Sequence, residues 1–193
     1  MPFDDETGLD LPAADVDAPK RTARLRELGL YDVPSEGFDV LAGKLARAGA
    51  TLAGIDYAPY AMINFRTDQH QFFAGLHVPS EGQAAPATIE GAESEVSRVM
   101  DLQHGYCPEV VGRGKALVLD DVCAHPRFES NEVVDLIGIR SYLGDVVHDP
   151  RTGIILGTAC IVDTERRNWG RAGLKLIKET VAEVEQHIWD LGR

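Results

Sequence analysis

The sequence predicts an α+β domain in which a mostly antiparallel sheet of about five to six strands is sandwiched by helices. Two pairs of strand-like segments, within residues 60–78 and 141–163, are each joined by a short turn, as in antiparallel hairpins. Segments 35–52 and 168–191 instead carry the three-and-four spacing of amphipathic helices. Mixed helices and hairpins of this kind indicate a sheet with helices packed against it.

The chain begins with a predicted tail and two helices. Residues 1–18 are rich in Asp, Pro and Ala, so we expect a disordered acidic tail before a single domain over residues 19–193. A short basic helix over 21–28 should end at Gly29, and Ser35 is placed to cap the next helix. The apolar stripe of that second helix comprises Phe38, Leu41, Leu45, Ala48 and Leu52.

The first hairpin should lie at 60–66 and 71–78, where apolar and polar residues alternate. Residues 79–92 have the composition of a long loop, which is either a functional lid or a segment with no role. One or two helical turns within 93–100 and a strand at 103–107 are predicted to follow.

The second half alternates short helices and strands. Pro108 suits the start of a short helix, and residues 116–120 form an apolar strand. Ser130 is expected to cap a helix over 131–137 that stops at Gly138. In the second hairpin, residues 154–162 are apolar on both faces, which is typical of a central strand.

The last helix, over residues 168–191, repeats apolar residues at alternating spacings of three and four. This seam either packs on the chain's own sheet or pairs with a second copy. We expect a homodimer through the terminal helices. The residues assigned to it are Leu174, Ile177, Val181, Val184 and Ile188.

Composition limits the class of partner. The formal net charge of −12 disfavours nonspecific binding to nucleic acid or to anionic membranes. The N-terminus lacks the pattern of a secretory signal, and no apolar run approaches a membrane span. Three cysteines without a CxxC pair suggest neither a disulfide framework nor a zinc site, so we expect free thiols and a cytoplasmic location.

Three motifs carry a resemblance to a known family: DVCAHPRF at 121–128, GIRSY at 138–142 and LGTACIVD at 156–163. With the lead-in RLRELGL at 24–30, they make the chain from about Arg21 to Trp189 resemble a bacterial GAF domain. The family binds cyclic nucleotides, haem, bilins, amino acids or nitrate, and some members bind no known ligand. The resemblance implies small-molecule or redox sensing by one GAF domain that signals through a dimer or a partner protein.

Candidate ligand-binding residues follow from their chemistry and their place in such a domain. Arg127 and Arg140 could bind an anion or pair with the many aspartates, and Cys107 could be a reactive thiol at a helix start or a small buried residue. The full candidate set is Asn64, His104, Tyr106, Cys107, Asp121, Arg127, Arg140, Tyr142 and Asp145.

Two other functions remain open. The chain could be an enzyme similar to the free methionine-(R)-sulfoxide reductases of this family, with Cys107 and Cys123 as its cysteines. Cys123 lies before His125-Pro126, whereas the matching cysteine of those reductases would be expected after it. It could also be an interaction module without a ligand. Cys160 lies in an apolar strand and is expected in the core. The sequence requires no metal or cofactor; candidate haem ligands would be His77, His104 and His125.

Overall fold

The computed structural model describes residues 3–4, 9–10, 15–79 and 97–192. Strands β1 (Phe3–Asp4) and β2 (Leu9–Asp10) pair with each other antiparallel. The predicted disordered tail and the predicted loop at 79–92 fall mainly outside the described residues.

The main helices and strands follow the predicted order. The remaining strands are β3 (Tyr60–Arg66), β4 (Gln71–His77), β5 (Val99–Met100), β6 (Leu117–Leu119), β7 (Ser141–His148) and β8 (Ile155–Asp163). The helices are α1 (Ala18–Glu27), α2 (Glu36–Ala53), α3 (Cys107–Arg113), α4 (Pro126–Glu129), α5 (Glu132–Ile137) and α6 (Gly170–Leu191), with a 3-10 turn at Val122–Ala124. Strands β3 to β8 form one six-stranded antiparallel sheet in the order β5-β4-β3-β8-β7-β6. The α+β prediction is therefore confirmed.

Each face of the sheet carries its own hydrophobic core. Helices α1, α2 and α6 cover one face, where alternate residues of the central strands such as Ile63, Leu143 and Ile161 are fully buried. On the other face α3, the 3-10 turn and α5 cover Met62, Tyr142 and Cys160. Successive side chains along each strand point to opposite faces and therefore contribute to two separate hydrophobic cores.

The apolar stripe of α2 agrees with its prediction at Phe38 and Leu45, which are buried, and differs at its other positions. Ala42 and Ala46 are fully buried, whereas Leu41 is half-buried and Leu52 is exposed. A Cβ at Gly49 would lie 2.6 Å from Cδ1 of Ile161, so the helix approaches the sheet through its smallest residues. The spacing therefore identified part of the contact face and missed its small residues.

Helix α6 buries most of its predicted seam inside this chain. Ile177, Val184 and Ile188 are almost completely buried in the core shared with α2, and Val181 is 8% exposed. A homodimer stays a prediction: of the five residues assigned to it, Leu174 is half-buried and the other four are buried. Within the described ranges, none of the helices combines the length and apolar character that a membrane span requires.

Three local predictions were wrong. The stretch predicted as a strand at 103–107 is a turn leading into α3, and Gly105 has a φ of 76°, which extended backbone excludes. Val99–Met100, expected to be helical, is instead the edge strand β5. The cap of α5 is Asn131, whose side chain accepts a hydrogen bond from the amide of Val133, and not Ser130. The stop at Gly138, with a φ of 69°, is as predicted.

Candidate functional site

Polar side chains collect on the face of the sheet that α3 covers. The sheet register places Asn64 of β3 directly opposite Thr158 of β8, and Cys160 of β8 opposite Gly144 of β7. Cys107, the first residue of α3, lies over them. We refer to Asn64, Cys107, Tyr142, Thr158 and Cys160 as the thiol site.

Cys107 is in contact with a second thiol and a phenol. Its Sγ lies 3.7 Å from Sγ of Cys160 and 3.4 Å from the hydroxyl of Tyr142. The phenol reaches this position by running along β7 over Gly144, where a Cβ would overlap the hydroxyl. Glycine at this position therefore allows the tyrosine to meet both sulfurs.

The surroundings of Cys107 favour its thiolate. Hydrogen bonding from Cys160 is the largest influence; together with the side chains of Thr158, Tyr142 and Asn64 it outweighs burial and lowers the pKa of Cys107 to about 6. The pKa of Cys160 moves the opposite way, well above its usual value, because it donates to Cys107 and is buried. The thiolate is therefore favoured at Cys107 and the thiol at Cys160.

A chain of amides fixes the orientation of Asn64. Its Nδ2 donates to Oε1 of Gln71 at 2.8 Å, and Nε2 of Gln71 donates to the carbonyls of Asp101 at 2.6 Å and His104 at 2.9 Å. Because both acceptors are carbonyl oxygens, Gln71 must present its nitrogen to the loop and its oxygen to Asn64. The loop before Cys107 is thereby tied to β3 and β4.

The same loop is held from its other side by Asn131. Its Oδ1 accepts from the amide of Gly105 at 3.2 Å, and its Nδ2 donates to the Gly105 carbonyl at 2.8 Å. Tyr106 is buried next to it, donates to the carbonyl of Phe128 and packs its ring at 5.3 Å from that of Tyr142. The start of α3 is therefore positioned by contacts with the sheet and with α4 and α5.

Four predicted site residues meet here: Asn64, Tyr106, Cys107 and Tyr142. His104 contributes its carbonyl to Gln71, while its ring Nε2 lies 2.7 Å from a carboxylate oxygen of Glu132. Gln71, Thr158 and Cys160 were missed by the sequence prediction. The available signal was the two-residue spacing of Thr158 and Cys160, which puts both on one face of β8.

The predicted charged residues occupy other positions. Arg140 donates to both carboxylate oxygens of Asp121, which also pairs with Arg166 and accepts from the amide of Cys123. Arg127 pairs with Glu109 at 2.8 Å.

Asp145 lies on the opposite face of β7 from Tyr142, since it alternates with it along the strand. It borders a surface hollow of about 440 Å³ together with Leu174 and Lys178 of α6. The structure thus separates Asp145 from the thiol site by the thickness of the sheet.

Comparison with known proteins identifies the family. The sequence model of the GAF domain matches residues 39–188. The chain belongs to the GAF domain family. That match spans β3 to β8 and most of α6, and so includes every residue of the thiol site.

Solved structures of similar fold include both sensors and enzymes. The GAF domain of an Acinetobacter phosphoenolpyruvate-protein phosphotransferase has a TM-score of 0.55 at 15% identity, covering 89% of this chain and 92% of that chain. The free methionine-R-sulfoxide reductase of Neisseria meningitidis has a TM-score of 0.51 at 15% identity, covering 96% of both chains. At these identities the likeness shows the GAF fold alone.

One curated relative is similar over a short stretch. Seventy-six residues, or 39% of this chain, are 40% identical to the ubiquinone biosynthesis O-methyltransferase of Methylobacterium nodulans. That stretch spans only 29% of the methyltransferase. The match therefore carries no argument about activity.

Proposed function

We propose that this GAF domain is a redox sensor in which Cys107 and Cys160 interconvert between a dithiol and a disulfide. The observation that carries the proposal is the 3.7 Å separation of the two sulfurs. A disulfide bond is about 2.05 Å long, so an approach of about 1.7 Å would join them. Cys160 is fixed in a central strand, whereas Cys107 heads a short helix, so the approach falls mainly on α3.

The chemistry needs an oxidant such as hydrogen peroxide. The Cys107 thiolate attacks one peroxide oxygen, so that an S–O bond forms, the O–O bond breaks and hydroxide leaves and takes up a proton. Cys160 then attacks the sulfur of the resulting sulfenic acid, loses its proton and expels a second water. Two thiols supply two electrons, and one peroxide becomes two waters.

The response of the domain would begin at α3. A disulfide would attach the first residue of α3 covalently to β8, and the preceding loop is held by Gln71 and Asn131. Movement of Cys107 would therefore strain these hydrogen bonds. We further propose that the change at α3 is transmitted to a partner protein or to a second copy of the chain. The sensor would operate in the reducing cytoplasm, where the dithiol is the resting form.

Oxidation followed by peptide mapping tests the proposal. Wild type and the variants Cys107→Ser, Cys160→Ser and Cys123→Ser are treated with hydrogen peroxide, blocked and digested without reductant. We expect a Cys107–Cys160 disulfide in wild type and in the Cys123→Ser control. Hydrogen exchange should change around α3 in those two proteins on oxidation, and in neither of the other variants. A disulfide to Cys123, or oxidation without any change in exchange, would refute the sensor.

The same contact gives a second candidate function, reduction of free methionine sulfoxide. The sulfoxide S–O bond would break as its oxygen is transferred to the Cys107 sulfur, which takes up one proton and becomes a sulfenic acid, and methionine leaves with the electron pair on its sulfur. Cys160 would then attack the sulfenic sulfur, lose its proton and expel water as the disulfide forms. The sulfur contact favours Cys160 over Cys123 in the second role. Turnover with an added dithiol that is lost in Cys107→Ser and Cys160→Ser, but kept in Cys123→Ser, would support the enzyme. Disulfide formation by peroxide without such turnover would support the sensor.

A further inference from the structure

Two buried arginines share a single carboxylate next to the start of α1. Arg21 of α1 and Arg66 of β3 are 2% and 8% exposed. Both oxygens of Asp15 accept from Arg21, at 2.7 and 3.0 Å, and one of them also accepts from Nε of Arg66 at 3.1 Å. The cluster therefore sets two buried positive charges against one partly exposed negative charge.

Each guanidinium group also has a backbone partner besides Asp15. Nε of Arg21 donates to the carbonyl of Ile155 at 2.6 Å, at the start of β8. Nη1 of Arg66 donates to the carbonyl of Leu102 at 2.7 Å, in the loop before α3. Backbone carbonyls of the sheet and of that loop thus orient both cations toward the same point.

The balance of charge at this point favours an anion. Burial lowers the pKa of Arg66 and the Arg21 charge adds to that effect, while Asp15 and, more weakly, the charge of Cys107 raise it. Burial raises the pKa of Asp15, yet its hydrogen bonds and charge attraction to the two arginines prevail and keep the carboxylate ionised. Removing the carboxylate would deprive both buried guanidinium groups of the anion that they bind, which is costly.

We propose that Arg21 and Arg66 form an anion-binding site for a small carboxylate, and that Asp15 occupies this site until such a ligand displaces it. Asp15 lies on the segment before α1, so its withdrawal breaks no strand or helix. The planar, two-oxygen contact with Arg21 suits a carboxylate, because a guanidinium binds that group through two parallel hydrogen bonds. The charge of Cys107 acts on Arg66 and raises its pKa, but carboxylate binding by the two arginines requires no thiol reaction.

Chemical rescue tests the site. Asp15→Ala should lower the melting temperature by roughly 5 °C, as expected when a partly buried ion pair loses its anion. Formate or acetate at tens of millimolar should restore at least half of that loss, whereas chloride at equal ionic strength should not. The matched control is Asp17→Asn, because within the described residues Asp17 pairs with exposed Lys20 at 3.7 Å, and asparagine is an equally good N-cap for α1. That variant should melt like wild type and show no carboxylate-specific gain.

Two further variants decide the interpretation. Asp15→Asn keeps the shape of the side chain without its charge, so it should show the same rescue even where Asp15→Ala is poorly folded. Adding Arg66→Met to Asp15→Asn should abolish the rescue. The proposal is overturned if formate and acetate stabilise neither Asp15 variant beyond chloride, if rescue survives Arg66→Met, or if sulfate rescues and the carboxylates do not.

Discussion

The reactivity of Cys107 against pH is the sharpest consequence of the thiol site. With a pKa of about 6, about 90% of Cys107 is thiolate at pH 7, against about 1% for a thiol at the ordinary value of 9.0. Thiolates of lower pKa are weaker nucleophiles, and a pKa lower by three units reduces the rate constant of the thiolate roughly 15- to 30-fold. At pH 7 the observed reaction rate is therefore only roughly three- to sixfold above that of an ordinary cysteine. The pH at which the rate of Cys107 shows its inflection is more diagnostic than the rate itself.

The perturbation is Cys160→Ala, which removes the largest influence that lowers the pKa of Cys107. We expect the inflection to move upward, toward that of an ordinary cysteine. Tyr142→Phe removes a weaker donor and should move it upward by less.

The assay is a brief iodoacetamide pulse from about pH 5 to about pH 10, followed by quantitative mass spectrometry of the Cys107 peptide. The Cys123 peptide serves as an internal reference in the same digests. An inflection for wild-type Cys107 that already lies near that of an ordinary thiol would refute this description of the site. So would an inflection that Cys160→Ala leaves unchanged.

Three other predictions concern the fold. Gly144→Ala should lower the free energy of unfolding in urea by roughly 1–3 kcal/mol, because its Cβ meets the tyrosine hydroxyl of the thiol site. Gly112→Ala in α3 has open space around it and should cause no loss; equal losses in the two variants would contradict the prediction. Ile177→Ala should cost roughly 2–5 kcal/mol and Leu191→Ala less than about 0.5, and the opposite order would show that the α6 seam is not core. The pKa of Asp149 is lowered, because hydrogen bonds from Arg24 and the adjacent turn outweigh burial. The ionised carboxylate therefore stabilises the fold fully above pH 3.8, and this stabilisation is lost on further acidification. In Asp149→Asn the free energy of unfolding should consequently fall less steeply as the pH is lowered below 3.8.

The sequence predicted the fold where one local signal dominates. Alternation marks the hairpin at Tyr60–Arg66 and Gln71–His77, and Gly138 ends its helix with the positive φ that glycine favours. At residues 103–107, by contrast, the tertiary contacts of the loop with Gln71 and Asn131 decide the conformation, and neither partner is close in sequence. Short segments held by distant side chains are poorly predicted from local patterns.

The candidate site was predicted only in part for a similar reason. Cys107 and Tyr142 were identified by their own chemistry, but Cys160, the partner of Cys107, is 53 positions away. It lies in an apolar strand, so its residue type and neighbours indicate only a core position. Only the register of β8 against β3 and β7 shows that Cys160 faces α3. The seam of α6 was assigned to a dimer interface, and most of it is buried inside the chain. A heptad pattern cannot distinguish the two cases, because it is the same on a core helix and on a dimer helix.

The equilibrium between dithiol and disulfide at Cys107 and Cys160 tests the central claim most directly. The protein is equilibrated in glutathione buffers of graded ratio, acid-quenched, and the fraction of the linked peptides is measured. We predict one two-electron transition with a midpoint within the range of thiol–disulfide regulators, roughly −180 to −300 mV, which is unchanged in Cys123→Ser. Absence of the Cys107–Cys160 disulfide at every ratio, or a transition that requires Cys123, would contradict the proposed sensor.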